Sequence, residues 1–238
     1  MAATTSAATT ATATPRFGRR FFEGLWRSAG IQGVAFLVVG AIVAGFGPAS
    51  DASADAVAAF YTANAPRLLI ATPILALGVL NLVWFMQAIR VALAAVGLDG
   101  WGAAGTAASA MMGGTLFIVI AIQAVLAYAV AGDGNTAVTA GLNNLLVAVF
   151  VLSSLPRAMF VMAPSFGFWR AGYISNTQFV LAVGLVILGV LGATTWIAGT
   201  VWAPDAAFSR VILPTLELVW VVAIGRVLSR VPSPDFGF

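Results

Sequence analysis

Six polar side chains stand inside long apolar runs and are the residues best placed to do chemistry: Asn81, Gln123, Asn143, Asn144, Arg157 and Glu217. A charge at the centre of a bilayer costs about 2.5 to 3.5 kcal/mol even on lenient insertion scales, so such groups pair with one another or line a cavity. The amides offer donors and acceptors, Arg157 a fixed cation, and Glu217 a carboxylate. That inventory suits recognition of a small polar group better than bond making. A glutamate held ionised by an arginine is a poor general base, so an enzyme is the least favoured reading.

What the chain lacks narrows the chemistry further. It contains no Cys, no His and no Lys, and all eleven basic residues are Arg. Disulfides, cysteine nucleophiles, Ser-His triads and ordinary zinc or copper sites are thereby excluded, as are the common haem ligands. Without Lys there is no Schiff base to retinal or pyridoxal phosphate. No cofactor is expected. A net charge of +3 is spread along connecting segments and not concentrated on one basic face, so nucleic acid is not an expected partner.

The elements that must position the six residues follow from composition. Hydrophobic residues make up 61% of the chain and charged ones 8%, too few to cover a water-facing surface. Surface facing lipid forces the backbone to satisfy itself within helices or a closed barrel, and continuous apolar runs select helices. The sequence predicts an all-α bundle of six transmembrane helices near Ile31–Phe46, Leu68–Ile89, Ala103–Ala131, Ala137–Ala163, Gln178–Thr200 and Phe208–Val227. With a cytoplasmic N-terminus, Arg16, Arg19, Arg20, Arg27, Arg90, Arg170, Arg226 and Arg230 fall inside and only Arg67 and Arg210 outside. That asymmetry predicts both chain ends in the cytoplasm of a bacterial cell bounded by this inner membrane.

Depth along the helices sorts the polar residues into two tiers. Gln123 lies seven residues before Val130, and Asn143 and Asn144 lie seven and eight after Thr136. Each is therefore roughly 10 to 12 Å in from the outer helix ends. Asn81 and Glu217 each precede a boundary Arg by nine residues, and Arg157 precedes Pro164, taken as a helix breaker, by seven. These three should share an inner level, with Arg157 and Glu217 pairing and Asn81 nearby. Two plainer readings stay open: the amides merely join helices, or Arg157 snorkels to the headgroups.

Four organisational units are expected: an Ala/Thr-rich tail over residues 1–16, an amphipathic interfacial helix over 17–29, the six-helix domain over 30–230 and a cytoplasmic tail over 231–238. The connection Gly47–Arg67 reads either as a short outer helix or as a plain loop. Pro156 is expected to kink the fourth helix, and Pro73 and Pro214 are the corresponding candidates in the second and sixth. Small residues at Ala103–Ala110, Gly113, Gly114, Gly184, Gly189 and Gly192 read as packing faces. Trp84, Trp101, Trp169, Trp202 and Trp220, with Phe166, Phe168 and Tyr173, read as an interfacial belt. Asn81-Leu-Val-Trp84 with Arg90 matches Glu217-Leu-Val-Trp220 with Arg226 at the same spacing, as a parallel duplication of the first and last hairpins would.

The stretch from Phe60 to Val91, the segment LNNLLVAVFVLSSLPRAMFVMAP at residues 142–164, and Trp169-Arg170 leading into a Gly-rich helix resemble six-span membrane proteins of unknown function common in actinobacteria. The resemblance extends over Arg27–Arg230. It implies a six-helix fold and carries no activity or site residues.

Together these features favour an intramembrane binding or permeation module for a small or lipid-like molecule. The alternative is a structural or assembly subunit of a larger membrane complex. Expected partners are membrane lipids and either further copies of the chain or other subunits.

Overall fold

The computed structural model describes residue 24, residues 26–197 and residues 200–231. The Ala/Thr-rich tail, most of the expected interfacial helix and all but Val231 of the C-terminal tail lie outside the described residues. Within them the chain is helical, without strands. The helices are α1 (Ala29–Ala44), α2 (Ala54–Ala94), α3 (Asp99–Val125), α4 (Thr136–Leu152), α5 (Ser154–Arg170), α6 (Asn176–Gly192) and α7 (Leu213–Leu228). A π-helical turn at Leu126–Val130 extends α3, and another at Phe208–Ile212 leads into α7.

Local chemistry sets these boundaries. Ser53 begins α2 by accepting from the Ala56 N–H, and Asn135 begins α4 by accepting from Val138. Ser175 and Gln178 form a reciprocal capping box at α6. At the other termini, Gly97 and Gly172 adopt φ of 77° and 73°. The following N–H groups of Leu98 and Tyr173 then close onto the Leu93 and Phe168 carbonyls, which is how a left-handed glycine satisfies the last turn of a helix.

The connections at 45–53, 131–135 and the described parts of the one before Phe208, 193–197 and 200–207, gather at one end of the bundle, here the Asp205 end. Ser50 Oγ donates to Asp205 Oδ1 at 2.5 Å there, and Thr62 Oγ1 donates to the Ala131 carbonyl at 3.1 Å. At the opposite Arg230 end, Arg27 Nη1 donates to the carbonyls of Leu228 and Val231 at 3.3 and 2.6 Å, tying the two ends of the domain together.

Close backbone approach holds α1 against α2. A Cβ on Gly40 would lie 2.7 Å from the Leu75 side chain, and one on Gly78 would lie 2.7 Å from Leu37 Cγ and 3.0 Å from its backbone nitrogen. In lipid, where burial of apolar side chains gives little drive, such small-residue contacts are a principal source of helix association. Two apolar clusters result. The larger, including Phe85, Met86, Ile89, Leu93, Phe168 and Leu228, fills the Arg230 half. The smaller, around Tyr61, Leu68, Ala71 and Leu126, fills the Asp205 half. The outer surface is apolar as well, with Ile42, Val180, Leu181 and Val219 among many exposed.

Four helical rods are long and apolar enough to cross a membrane: Ala54–Ala94, Asp99–Val130, Thr136–Arg170 and Phe208–Leu228. The helices α1 and α6, at 16 and 17 residues, run only about 24 to 26 Å, short of a hydrocarbon core of about 30 Å.

Several sequence expectations are corrected by the fold. The Gly47–Arg67 connection is neither a separate helix nor a plain loop, because from Ala54 onward it is the first part of α2, which passes through Pro66 and Pro73 without interruption. The fourth expected span does not stop at Ala163. Its interruption is at Ser153, where Pro156 has no N–H for the Leu152 carbonyl, and α5 then carries Pro164 in its interior and ends at Arg170. Phe168 and Trp220 are core residues and not belt residues, since helix rotation turns them inward. Trp84 is 60% exposed where its counterpart in the hairpin match, Trp220, is 7% exposed.

Candidate functional site

Arg157 enters the bundle immediately after the Ser153 interruption, and Glu217 faces it from α7. Arg157 Nη1 donates to Glu217 Oε2 at 3.0 Å, while Nη2 donates to Ser154 Oγ at 2.8 Å. The guanidinium also lies over the Phe150 ring, 5.0 Å from its centroid, adding a cation–π contact. Arg157 is only 6% exposed, so it does not snorkel. The ion pair closes through one nitrogen and one oxygen while Ser154 engages Nη2, and Arg157 Nε and Glu217 Oε1 are left buried without a hydrogen-bond partner. The only other orphan of this kind among the described residues is Gln123 Nε2.

Arg157 and Glu217 line one of two neighbouring cavities and Gln123 lines the other, while the three unpartnered atoms are themselves buried. The lower chamber, about 250 Å³, contains the ion pair, and its walls are otherwise mostly apolar, with Leu37, Leu75, Leu82, Leu116 and Phe160 among them. The upper chamber, about 130 Å³, lies towards the Asp205 end and is lined by Gln123, Asn143, Tyr61 and the Gly47-Pro48 connection. Phe150 and Arg210 line both chambers. Below the lower chamber, Phe85, Ile89, Leu93, Phe168 and Leu228 are packed with almost no exposure, which closes the route towards the Arg230 end.

One helix furnishes a continuous wall. Tyr61 and Leu68 line the upper chamber and Leu75 and Leu82 the lower one, a strict seven-residue series along α2. Seven residues are nearly two helical turns, so all four project to one side of the rod. From Tyr61 to Leu82 the series spans about 32 Å, close to the thickness of a hydrocarbon core.

The upper tier unites Gln123 and Asn143, as depth suggests. Tyr61 Oη donates to Asn143 Oδ1 at 2.9 Å, and Asn143 is almost fully buried. Asn144, about 100° further round α4, is exposed on the outer surface and takes no part. Asn81 also stands apart from the site. Its amide donates to the Leu77 carbonyl of its own helix at 2.9 Å, its Cβ faces Gly33 of α1, and it lines neither chamber. Equal depth is insufficient when the azimuth points to a different neighbour.

Arg210 is the functional candidate that sequence reasoning misses, having been counted as an outer-loop charge. Pro214 cannot donate to the Arg210 carbonyl, and the chain there forms the π-helical turn Phe208–Ile212, an arrangement often found at functional sites. Arg210 Nη1 and Nη2 donate to the carbonyls of Gly47 and Pro48 at 3.0 and 2.6 Å. Pro214 within an apolar run four residues after an arginine is the signal that could have found it. Asp205, near Arg210 in the connection before α7, keeps its carboxyl below the usual carboxylate range. Burial, the largest influence, pushes the pKa up, but the Ser50 hydrogen bonds, a backbone hydrogen bond of Asp205 itself and the Arg210 charge together outweigh it.

Among the described residues no three His, Cys, Asp or Glu side chains gather as a metal site. What the arrangement offers is two neighbouring cavities, the upper lined by Tyr61, Gln123, Asn143 and Arg210 among others, the lower mostly apolar apart from Arg157, Arg210 and Glu217. No family model, curated protein or solved structure matches this chain.

Proposed function

We propose that the chain is a six-span protein of a bacterial cytoplasmic membrane, with both ends on the cytoplasmic side, which binds a small or lipid-like molecule in the paired chambers. The observation that carries this reading is the buried Arg157–Glu217 pair, both residues of which line a cavity of about 250 Å³ while Arg157 Nε and Glu217 Oε1 have no hydrogen-bond partner. A pair serving only to join helices would be expected to use both carboxylate oxygens, since each unmet buried group costs stability. In this orientation the upper chamber faces away from the cytoplasm, and the packed core beneath Glu217 favours binding over permeation. The proposed site comprises Tyr61, Gln123, Asn143, Arg157, Arg210 and Glu217, with Asn81 and Asn144 outside it.

A second reading, assembly with another subunit or copy, draws on Asn144. An exposed amide on an apolar helix is costly against lipid, and Gly114 and several alanines of α3 are likewise exposed. Native mass spectrometry of protein extracted with its lipids separates the two. A defined small molecule retained at one per chain supports binding, and its loss when Leu116→Trp fills the lower chamber ties it to the site. A polypeptide retained in fixed ratio, with empty chambers, supports assembly instead.

A further inference from the structure

A groove of about 620 Å³ lies between α6 and α7 and shares no lining residue with the paired chambers. The two helices are close where a Cβ on Gly192 would lie 2.5 Å from Leu213 Cδ2, and the groove runs from Leu188 and Leu216 towards the Arg230 end. Its floor is apolar and buried, at Ala182, Leu185, Trp220 and Ile224, and its rim is apolar and exposed, at Val180, Leu181 and Val219. From Gln178 to Leu188 is about 15 Å along α6, and from Leu216 to Val227 about 16 Å along α7, which is half of a hydrocarbon core of about 30 Å. The groove has the depth of one leaflet.

Cations stand at the Arg230 end of its α7 wall. Arg226 follows Val219 by seven residues, and Arg230, in the turn that closes α7, follows Ala223 by seven, so both stay close to the lining stripe. Both are exposed, and neither forms an ion pair among the described residues. We infer that the groove holds one glycerophospholipid with an anionic headgroup, from the leaflet at the Arg230 end, an acyl chain lying between α6 and α7 and the phosphate facing Arg226 and Arg230. The inference rests on the membrane placement proposed above and not on the paired chambers. Basic positions beside a cleft between membrane helices suit anionic headgroups. A zwitterionic lipid fills the groove but leaves the arginines facing a headgroup without net charge. A helix of a second copy fits less well, because helices associate through small residues that let backbones close, and this wall is mostly Leu, Val and Ile. A copy in the same membrane orientation would also bring the same arginines to the same level.

The test uses the full chain in nanodiscs of equimolar phosphatidylglycerol and phosphatidylcholine with identical acyl chains, and native mass spectrometry after release identifies the lipid each chain retains. Phosphatidylglycerol should be retained over phosphatidylcholine by at least about fivefold, the ratio that one arginine near a membrane surface supplies. In Arg226→Gln with Arg230→Gln that ratio should fall to near one. Arg90→Gln with Arg170→Gln removes the same charge from the same end and should leave the ratio unchanged. Ala223→Trp fills the groove from an exposed position and should abolish retention of both lipids. Equal retention of the two lipids by the unaltered chain, an equal loss of preference in the two paired variants, undiminished retention in Ala223→Trp, or a second copy of the chain held there in place of lipid each overturns the inference and leaves the membrane placement standing. A chain that fails to enter nanodiscs removes that placement, and the inference with it.

Discussion

Arg157 and Glu217, on α5 and α7, are joined through a single nitrogen–oxygen contact of 3.0 Å, with both side chains nearly excluded from the surface. Removing one partner strands the other. Glu217→Ala should therefore destabilise the protein by about 3 to 5 kcal/mol. Arg157→Met combined with Glu217→Leu should recover most of that loss, because apolar groups of similar size replace both charges. Unfolding equilibria of the single and double variants in mixed micelles check this, and a double variant no more stable than Glu217→Ala alone would contradict it.

Tyr61 and Asn143 provide a second, weaker link in the upper tier. Hydrogen bonds between membrane helices are worth about 0.6 kcal/mol on average and about 1.7 at most. A double-mutant cycle of Tyr61→Phe and Asn143→Leu should return a coupling in that range. Coupling indistinguishable from zero would mean that the tyrosine hydroxyl finds an equal partner elsewhere.

Two glycines should respond in opposite directions to the same substitution. Gly78→Ala forces a Cβ against Leu37, backbone included, and should cost about 1 to 3 kcal/mol as overpacking does. Gly114 has open space where a Cβ would go, so Gly114→Ala should stabilise α3 by up to about 1 kcal/mol through helix propensity. Melting temperatures of the two variants should move apart, and a shared direction would argue against the α1–α2 interlock.

Acid should weaken the Asp205 end. The carboxyl of Asp205 titrates below its ordinary value in the folded chain, so its contribution is present above the unfolded pKa of about 3.9 and is lost as pH falls through the lower, folded value. Asp205→Asn should lower the melting temperature at neutral pH. The gap between variant and unaltered chain should close as pH drops below about 4, and a gap that widens instead would reverse the sign argued here.

Topology is open to reporter fusions. Reporters after Arg230 and within the 95–98 connection should both report cytoplasm, and one at Asp133 should report the far side. An external reporter after Arg230 would remove the six-span arrangement.

The ion pair was legible in the sequence because cost and depth alone bring Arg157 and Glu217 together: each is a lone charge at a similar level with nothing else to neutralise it. Asn81 satisfied the same depth criterion and lies elsewhere, since a neutral amide can return to its own Leu77 carbonyl and is under no comparable pressure to find a partner. Gln123 and Asn143 converge because neighbouring helices carry them at the same level, yet Tyr61 was hidden in a segment that could be read as a loop. Arg210 escaped notice because charge counting assigns arginines to sides of a membrane without regard to local helix winding. Four of the six expected spans match helical rods long and apolar enough to cross a membrane, the other two match the shorter apolar helices Ala29–Ala44 and Asn176–Gly192, and the ends shift where Pro and capping residues compete. Pro164 ends no helix, whereas Pro156, with a serine able to bond the Phe150 carbonyl just before it, does interrupt one.

The seven-residue series Tyr61, Leu68, Leu75 and Leu82 gives the paired chambers a handedness. Seven residues fall short of two full turns of a straight α-helix by about 20°, so over three repeats the series slips by about 60° round the rod unless the rod itself coils to follow it. In the first case the α2 side chains that line the lower cavity are turned round the rod relative to those that line the upper one, and in the second the rod carries them on one coiled stripe. The two cavities are therefore related along α2 by a screw and not by a straight translation.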